Sequence, residues 1–129
     1  MTINEALILL GRSPEVLTPI PHGVPDYYSV CAFLNGLCHD SGELRGFNAW
    51  LMVKRKKISA SHWFYSVLEM AFPNGPPDGW RNNKEHQSKA IKVLLANVDE
   101  FLVHRNGSPN WLDEVQQQVD MLKRGKTNG

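Results

Sequence analysis

The chain has 129 residues and a formal net charge of +1, which fits one domain with one core and argues against a nucleic-acid binder held by a strongly basic surface. No stretch reaches the ~20 apolar residues of a membrane span, and the start of the chain lacks the basic leader and cleavage site of a signal peptide. We therefore expect a cytoplasmic protein with no membrane partner.

Apolar residues recur at the spacing i, i+3, i+4, i+7, which places them on one face of a helix. The two longest runs span 27–38 and 91–102, and a shorter run spans 3–10. Because each apolar face must be buried against another element, the sequence predicts an all-α, single-domain bundle of about five to six helices. The predicted helices occupy residues 1–11, 26–40, 43–54, 60–72, 83–105 and 109–124, and a frayed tail follows at 126–129.

Capping residues indicate where two of these helices begin. Thr2 with Glu5 and Asn82 with Glu85 have the spacing of a capping box, in which two side chains satisfy free N–H groups at a helix start. Between the first two helices, the segment 13–25 is rich in proline but also holds apolar residues. It predicts an ordered loop that lies over the core.

The residue types that carry catalysis or bind metals do not form a known pattern here. Cys31 and Cys38 lie on one predicted helix with an axial separation of about 10 Å, too far for a disulfide, and are expected in the core. The five histidines fall in five segments, none at metal-ligand spacing from another His or Cys. We predict no metal, no cofactor and no catalytic residue, and we expect a protein that is not an enzyme. A hydrolase would show a buried histidine beside Ser or Cys in a deep pocket.

Four consecutive cations occupy residues 54–57. One interpretation is a small nucleic-acid-binding regulatory protein that contacts phosphates through this basic run. The other is that the run ends the third predicted helix, where cations offset the negative end of the helix dipole. No exposed aromatic residues are predicted nearby, so the second interpretation is favoured and nucleic acid is not the expected partner.

Four tryptophans in a chain of this length each need a place for the indole N–H. Trp50 and Trp63 stand at core spacing and are expected to be buried. Trp80 follows the turn-forming segment 73–79, and Trp111 starts the last predicted helix away from its apolar stripe. If partly exposed, Trp80 and Trp111 would be anchors for a protein partner; otherwise they cover the edges of the core.

Several motifs together resemble a known family. They are FLNGL at 33–37, LRGFNAWL at 44–51, a tryptophan-bearing segment at 63–72 and a helical segment at 92–102. This order is similar to small bacterial immunity-type proteins of polymorphic or contact-dependent toxin systems, and the likeness covers roughly residues 8–104. The resemblance implies a cytoplasmic immunity protein that binds and occludes a cognate toxin domain without a cofactor.

Immunity proteins bind different toxins through different surfaces, so the resemblance transfers no functional residue. Two stretches of the chain are acidic: residues 1–53 have a net charge of −3 and residues 95–122 a net charge of −4. They would suit a toxin that is a nuclease, because acids can mimic or block a nucleic-acid path. Combining these acids with the two candidate tryptophans gives the predicted partner-binding residues. They are Asp40, Glu43, Trp80, Trp111, Asp113 and Glu114.

Overall fold

The computed structural model describes residues 1–13 and 25–128, the last three by their backbone alone. The predicted loop at 13–25 therefore lies outside the described residues except at its two ends, and so does His22. Six α-helices and one short 3-10 helix make up the described chain, which contains no β-strand, and the predicted all-α bundle is confirmed. The α-helices are α1 (Ile3–Arg12), α2 (Tyr27–Leu37), α3 (Phe47–Arg55), α4 (Trp63–Ala71), α5 (Lys84–Gly107) and α6 (Trp111–Asn128).

Thr2 caps the first helix as the sequence predicts, although α1 spans Ile3–Arg12 and not 1–11, whereas the cap of α5 differs by one residue. Thr2 Oγ1 accepts a hydrogen bond from the Glu5 N–H at 3.1 Å. At α5, Asn83 Oδ1 accepts from the His86 N–H at 2.9 Å. The predicted cap at Asn82 is wrong because Asn82 closes the short 3-10 helix that precedes α5.

Two glycines set the connection between α2 and α3. Gly42 and Gly46 have φ angles of 68° and 85°, a left-handed backbone that interrupts a helix and suits glycine. Gly46 directly precedes Phe47, where α3 begins, while α2 already ends at Leu37, so both helices are shorter than the predicted spans 26–40 and 43–54.

The last helix starts later and ends later than predicted. The Trp111 N–H donates to the Ser108 carbonyl at 3.2 Å, so the residues between them form a turn instead of the first helical residues. At the other end α6 continues through Asn128, which makes most of the predicted frayed tail helical. The sequence from 120 to 128 contains no proline, and its lysines and arginine offset the negative end of the helix dipole.

Helix α5 is the centre of the bundle, because it contacts every other α-helix. Its inner face buries Ala90, Leu94 and Phe101, in keeping with its long apolar pattern in the sequence. Trp50 and Trp63 are 6% and 3% exposed, as predicted. The Trp50 indole Nε1 donates to His104 Nδ1 on α5 at 3.0 Å.

The two cysteines are free and buried, in agreement with the sequence prediction. Cys31 and Cys38 both belong to the apolar core, where a thiol packs as a small apolar side chain. Among the described residues, no helix has the length and apolarity that crossing a bilayer would require.

Candidate protein-binding surface

A buried glutamine joins the start of α2 to the segment that precedes α5. Gln87 is fully buried; its Oε1 accepts from the Tyr27 N–H at 2.7 Å, and its Nε2 donates to the Arg81 carbonyl at 3.0 Å. The Tyr27 hydroxyl donates to the Phe64 carbonyl of α4 at 2.5 Å. Burial raises the pKa of Tyr27 far above its usual range, so the phenol stays a donor. These bonds hold three elements in one arrangement at this end of the bundle.

An aromatic cluster lies on the surface above these bonds. The Trp80 ring meets the Tyr28 ring edge-on with centroids 5.8 Å apart, and the Tyr28 and Tyr65 centroids are 6.2 Å apart. The Arg81 guanidinium carbon lies 5.0 Å from the Tyr28 centroid, in the range of a cation–π contact. We call Tyr28, Tyr65, Trp80 and Arg81 the aromatic surface.

The aromatic surface combines fixed rings with groups that reach solvent. Tyr65 is 54% exposed, while Tyr28 and Trp80 are half-buried. Arg81 is also held by an ion pair with Asp26 at 3.4 Å. Burial, and after it the neighbouring Tyr65, raises the pKa of Tyr28, so its hydroxyl stays protonated at neutral pH. The surface therefore presents apolar ring area together with hydroxyl and guanidinium donors.

A cleft of 540 Å³ opens beside Tyr65, between the ends of α3 and α4. Arg55 Nη2 lies 2.7 Å from Glu69 Oε2, and Lys57 Nζ lies 3.6 Å from the same oxygen. The hydrogen bond from Arg55 lowers the pKa of Glu69, so the carboxylate is ionised at neutral pH. Phe72 and the prolines after α4 supply apolar walls. We call this space the Tyr65 cleft.

Of the six predicted partner-binding residues, only Trp80 belongs to the aromatic surface. Trp80 lies in the 3-10 helix just before α5, and its ring centroid is 6.2 Å from that of Phe72. Trp111 follows the other end of α5. A helix of 24 residues is about 35 Å long, so these two tryptophans belong to opposite ends of the bundle.

Trp111 covers the edge of the core. A Cβ added at Gly46 would lie 2.8 Å from Trp111 Cη2, so the indole packs directly over the glycine. The same ring meets Phe101 edge-on at 5.4 Å. Asp113 and Glu114, in the first turn of the same helix, are exposed, and Glu114 accepts a hydrogen bond from the Ser108 hydroxyl at 3.0 Å.

The remaining two predicted residues lie near Trp111. Asp40 is exposed and Glu43 is half-buried in the connection that ends at Gly46. The charges of Glu43 and Arg105 both affect the pKa of the Cys38 thiol. The connection therefore lies close to the last turn of α5, which carries Arg105. The structure thus brings five of the six residues to one end of the bundle and leaves Trp80 at the other.

Three of the four cations at 54–57 form ion pairs within the chain. Lys54 Nζ contacts Glu100 Oε2 at 2.5 Å and donates to Asn97 Oδ1 at 2.8 Å. Arg55 and Lys57 share Glu69, as described above. Lys56 is exposed and caps the end of α3. The run therefore lies at the end of α3, as the favoured interpretation of the sequence holds, and it also joins α3 to α4 and α5.

The thiols lack the low pKa of a nucleophile. Burial raises the pKa of Cys31 to about 12 and that of Cys38 to about 11, so both are protonated near neutral pH. Cys38 lines a second cleft, of 370 Å³, together with His39 and His62. Among the residues that the structure describes, no three His, Cys, Asp or Glu side chains are grouped so that they could hold a metal ion.

Sequence reasoning missed Tyr28, Tyr65 and Arg81. A signal for Tyr65 was present, because it stands two residues after buried Trp63 and so falls on the opposite face of α4. An aromatic residue outside an apolar stripe is a candidate for contact with a partner. The proximity of Tyr28 to Tyr65 was not readable, because 37 residues separate them and only the packing of α2 near α4 joins them.

The chain matches no protein-family model, no curated protein and no solved structure. The resemblance to immunity-type proteins accordingly stays a prediction from the motifs.

Proposed function

We propose that this chain is a binding protein that recognises another protein through the aromatic surface, and that the partner is a bacterial toxin domain. The observation that carries the proposal is the grouping of Tyr28, Tyr65, Trp80 and Arg81 at one solvent-facing site. The resemblance of the motifs to immunity-type proteins supplies the class of partner. We also propose that the protein acts in the cytoplasm, where it would protect the cell that makes the toxin.

The composition of this surface is that of an interface centre. Tyrosine, tryptophan and arginine are the residue types that contribute most to protein–protein affinity. Trp80 also packs against buried Tyr27 and Phe72, so its ring is already ordered before a partner arrives. Side chains that become ordered on binding lose conformational freedom, which lowers affinity. A pre-formed surface reduces this cost.

The proposed action is stoichiometric occlusion. A bound chain would cover the active site of the toxin and needs no reactive group of its own. The acidic end, with exposed Asp40, Asp113 and Glu114, would make a second contact if the toxin is a nuclease with a basic substrate path. That end and the aromatic surface are separated by about the length of α5, so a given toxin domain would engage mainly one of them.

The test uses the toxin domain encoded beside the gene of this chain. We expect the two proteins to co-elute in size-exclusion chromatography and the chain to restore growth of cells that express the toxin. Tyr65→Ala should weaken the complex by about 2 kcal/mol or more in calorimetry, because an exposed anchor of this type is lost. Asp113→Asn with Glu114→Gln should have a smaller effect.

Ile8→Ala is the matched control, because Ile8 is also an exposed apolar residue, at 57%, but lies on α1, which contributes no residue to the aromatic surface. A complex that tolerates Tyr65→Ala but is lost with the acidic double variant would move the interface to the other end. Failure to co-elute, together with no rescue of growth, would remove the immunity proposal.

The alternative, a regulatory nucleic-acid binder, has less support. Lys54 and Arg55 already contact carboxylates of the chain at 2.5 and 2.7 Å, and breaking those pairs would offset part of any gain from phosphate contacts. Binding to DNA or RNA that weakens steeply with added salt would favour this alternative over the toxin partner.

A further inference from the structure

We propose that the Tyr65 cleft binds a carboxylate carried next to an apolar side chain, namely an acidic residue of the partner protein with an aromatic or aliphatic neighbour. This inference rests on the proposed function and names the chemistry by which the partner would be recognised. Three features of the cleft lead to it: its charge, its walls and its position beside the aromatic surface.

The charge of the cleft is not balanced. Among the residues that the structure describes, Arg55, Lys57 and Glu69 are the ionic ones that line it, so two cations face one carboxylate. Arg55 is engaged, because its contact to Glu69 is 2.7 Å and its side chain is only 16% exposed. Lys57 is 3.6 Å from the same oxygen, longer than a hydrogen bond, and its side chain is 61% exposed. The Lys57 ammonium therefore keeps donors for an incoming anion.

The other walls of the cleft are mainly apolar. Leu68 on α4 and Phe72 directly after α4 are both buried, and Pro73 and Pro76 stand in the loop that follows. A volume of 540 Å³ is in the range of spaces that hold small ligands or a few side chains. A bare anion would leave these walls uncovered, and an apolar group alone would leave the Lys57 charge unmatched. Both features are used together by an acidic residue beside an apolar one.

The cleft is continuous with the aromatic surface. Tyr65 lines the cleft and also contacts the Tyr28 ring, and Phe72 lines the cleft and also contacts the Trp80 ring. A partner segment that places its acidic and apolar side chains in the cleft would continue over the exposed rings. The cleft would then set specificity, while the rings supply contact area.

The probe is the blocked dipeptide acetyl-Asp-Phe-amide, with acetyl-Asn-Phe-amide as its neutral counterpart. We expect the acidic dipeptide to shift the backbone amide signals of the non-proline residues within 65–76 in NMR titrations at millimolar concentration. The neutral dipeptide should bind roughly three- to fivefold more weakly, which is the effect of losing a partly exposed ion pair. Added salt should reduce this difference.

Two substitutions at the cleft should act in opposite directions. Lys57→Gln should weaken binding of the acidic dipeptide roughly three- to fivefold, because the available cation is lost. Glu69→Gln should strengthen it by a similar factor, since a competing charge is removed while the amide oxygen can still accept from Arg55. Lys56→Gln is the matched control: Lys56 is the adjacent cation but lines a different groove, beside α6, and its loss should leave the affinity unchanged.

Equal affinities of the two dipeptides, equal effects of Lys57→Gln and Lys56→Gln, or amide shifts confined to other parts of the chain would each overturn the inference. Its failure is distinguishable from failure of the proposed function. A toxin complex that is sensitive to Tyr65→Ala, with no dipeptide binding, leaves the proposed function and removes the cleft. Dipeptide binding without any toxin complex removes the toxin partner and leaves a carboxylate-binding cleft.

Discussion

At the scale of single residues, Gly46 shows how one position links two parts of the chain. Its φ angle of 85° and its contact with the Trp111 ring both require the absence of a side chain. The predicted helix 43–54 includes Gly46, and the contact of this glycine with Trp111 becomes visible only when α3 and α6 are packed together. The interpretation of Trp111 as a cover for the core depends on this contact.

The first prediction concerns this glycine. Gly46→Ala should lower the free energy of unfolding by about 2–5 kcal/mol, because the left-handed backbone costs about 1–2 kcal/mol and the overlap with Trp111 adds about 1–3 kcal/mol. The matched control is Gly42→Ala, since Gly42 has a φ of 68° but open space around it. It should cost only the backbone term. Urea denaturation of the two variants measures the difference, and equal losses would mean that the Trp111 contact does not contribute.

At the scale of elements, the aromatic surface depends on how α2, α4 and the 3-10 helix are joined. Gln87 makes one hydrogen bond to α2 and one to the 3-10 helix from a fully buried position. A buried polar side chain on an apolar helix face looks unfavourable in sequence, and pattern analysis gives it no role. Its role is evident in the structure, because the backbone groups that it satisfies come from residues 60 and 6 positions away.

The second prediction tests this connection. Gln87→Leu keeps a similar volume but leaves the Tyr27 N–H and the Arg81 carbonyl without their partner, so stability should fall by about 2–4 kcal/mol. Gln117→Leu on the exposed face of α6 is the same chemical change without burial, and should stay within about 0.5 kcal/mol of the parent. Chemical denaturation measures both. If the two variants lose equal stability, the hydrogen bonds of Gln87 do not hold these elements together.

At the scale of the whole molecule, one core joins the six α-helices. The buried thiols should therefore lose their protons when the whole molecule unfolds. Burial raises the pKa of Cys31 to about 12 and that of Cys38 to about 11. In the unfolded chain a thiol has a pKa of about 8.5. The folded state therefore keeps protons that the unfolded chain releases, and the stability from this source is present below about pH 8.5 and is lost as the pH rises toward 11–12.

The third prediction follows from the raised pKa values of the two thiols. The free energy of unfolding should fall steadily when urea denaturation is repeated at increasing pH above about 8.5. Cys31→Ala should be less stable at neutral pH, because it leaves a small cavity, but it should lose less stability as the pH rises. Parallel curves for the parent and the variant would show that titration of this thiol is not linked to unfolding.

The motifs of the sequence determined the fold class, the buried positions of Trp50 and Trp63 and the core positions of both cysteines. These features depend on periodicity and on residue type, which are local and can be read along the chain. The start of α1 was also readable, because a capping box lies within one turn of a helix. Element ends near Asn82 and Gly46 were less readable, since competing local structures decide them.

The tertiary structure alone decided which side chains meet. It separated Trp80 from the other five predicted residues by the length of α5, and it placed Tyr28, Tyr65 and Arg81 beside Trp80 instead. It also turned the basic run into three ion pairs with acids on α4 and α5. The physical reason is that contacts between helices depend on how their faces pack, and residues brought together in this way are far apart in sequence. Apolar periodicity shows which face of a helix is buried, but not which helix covers it.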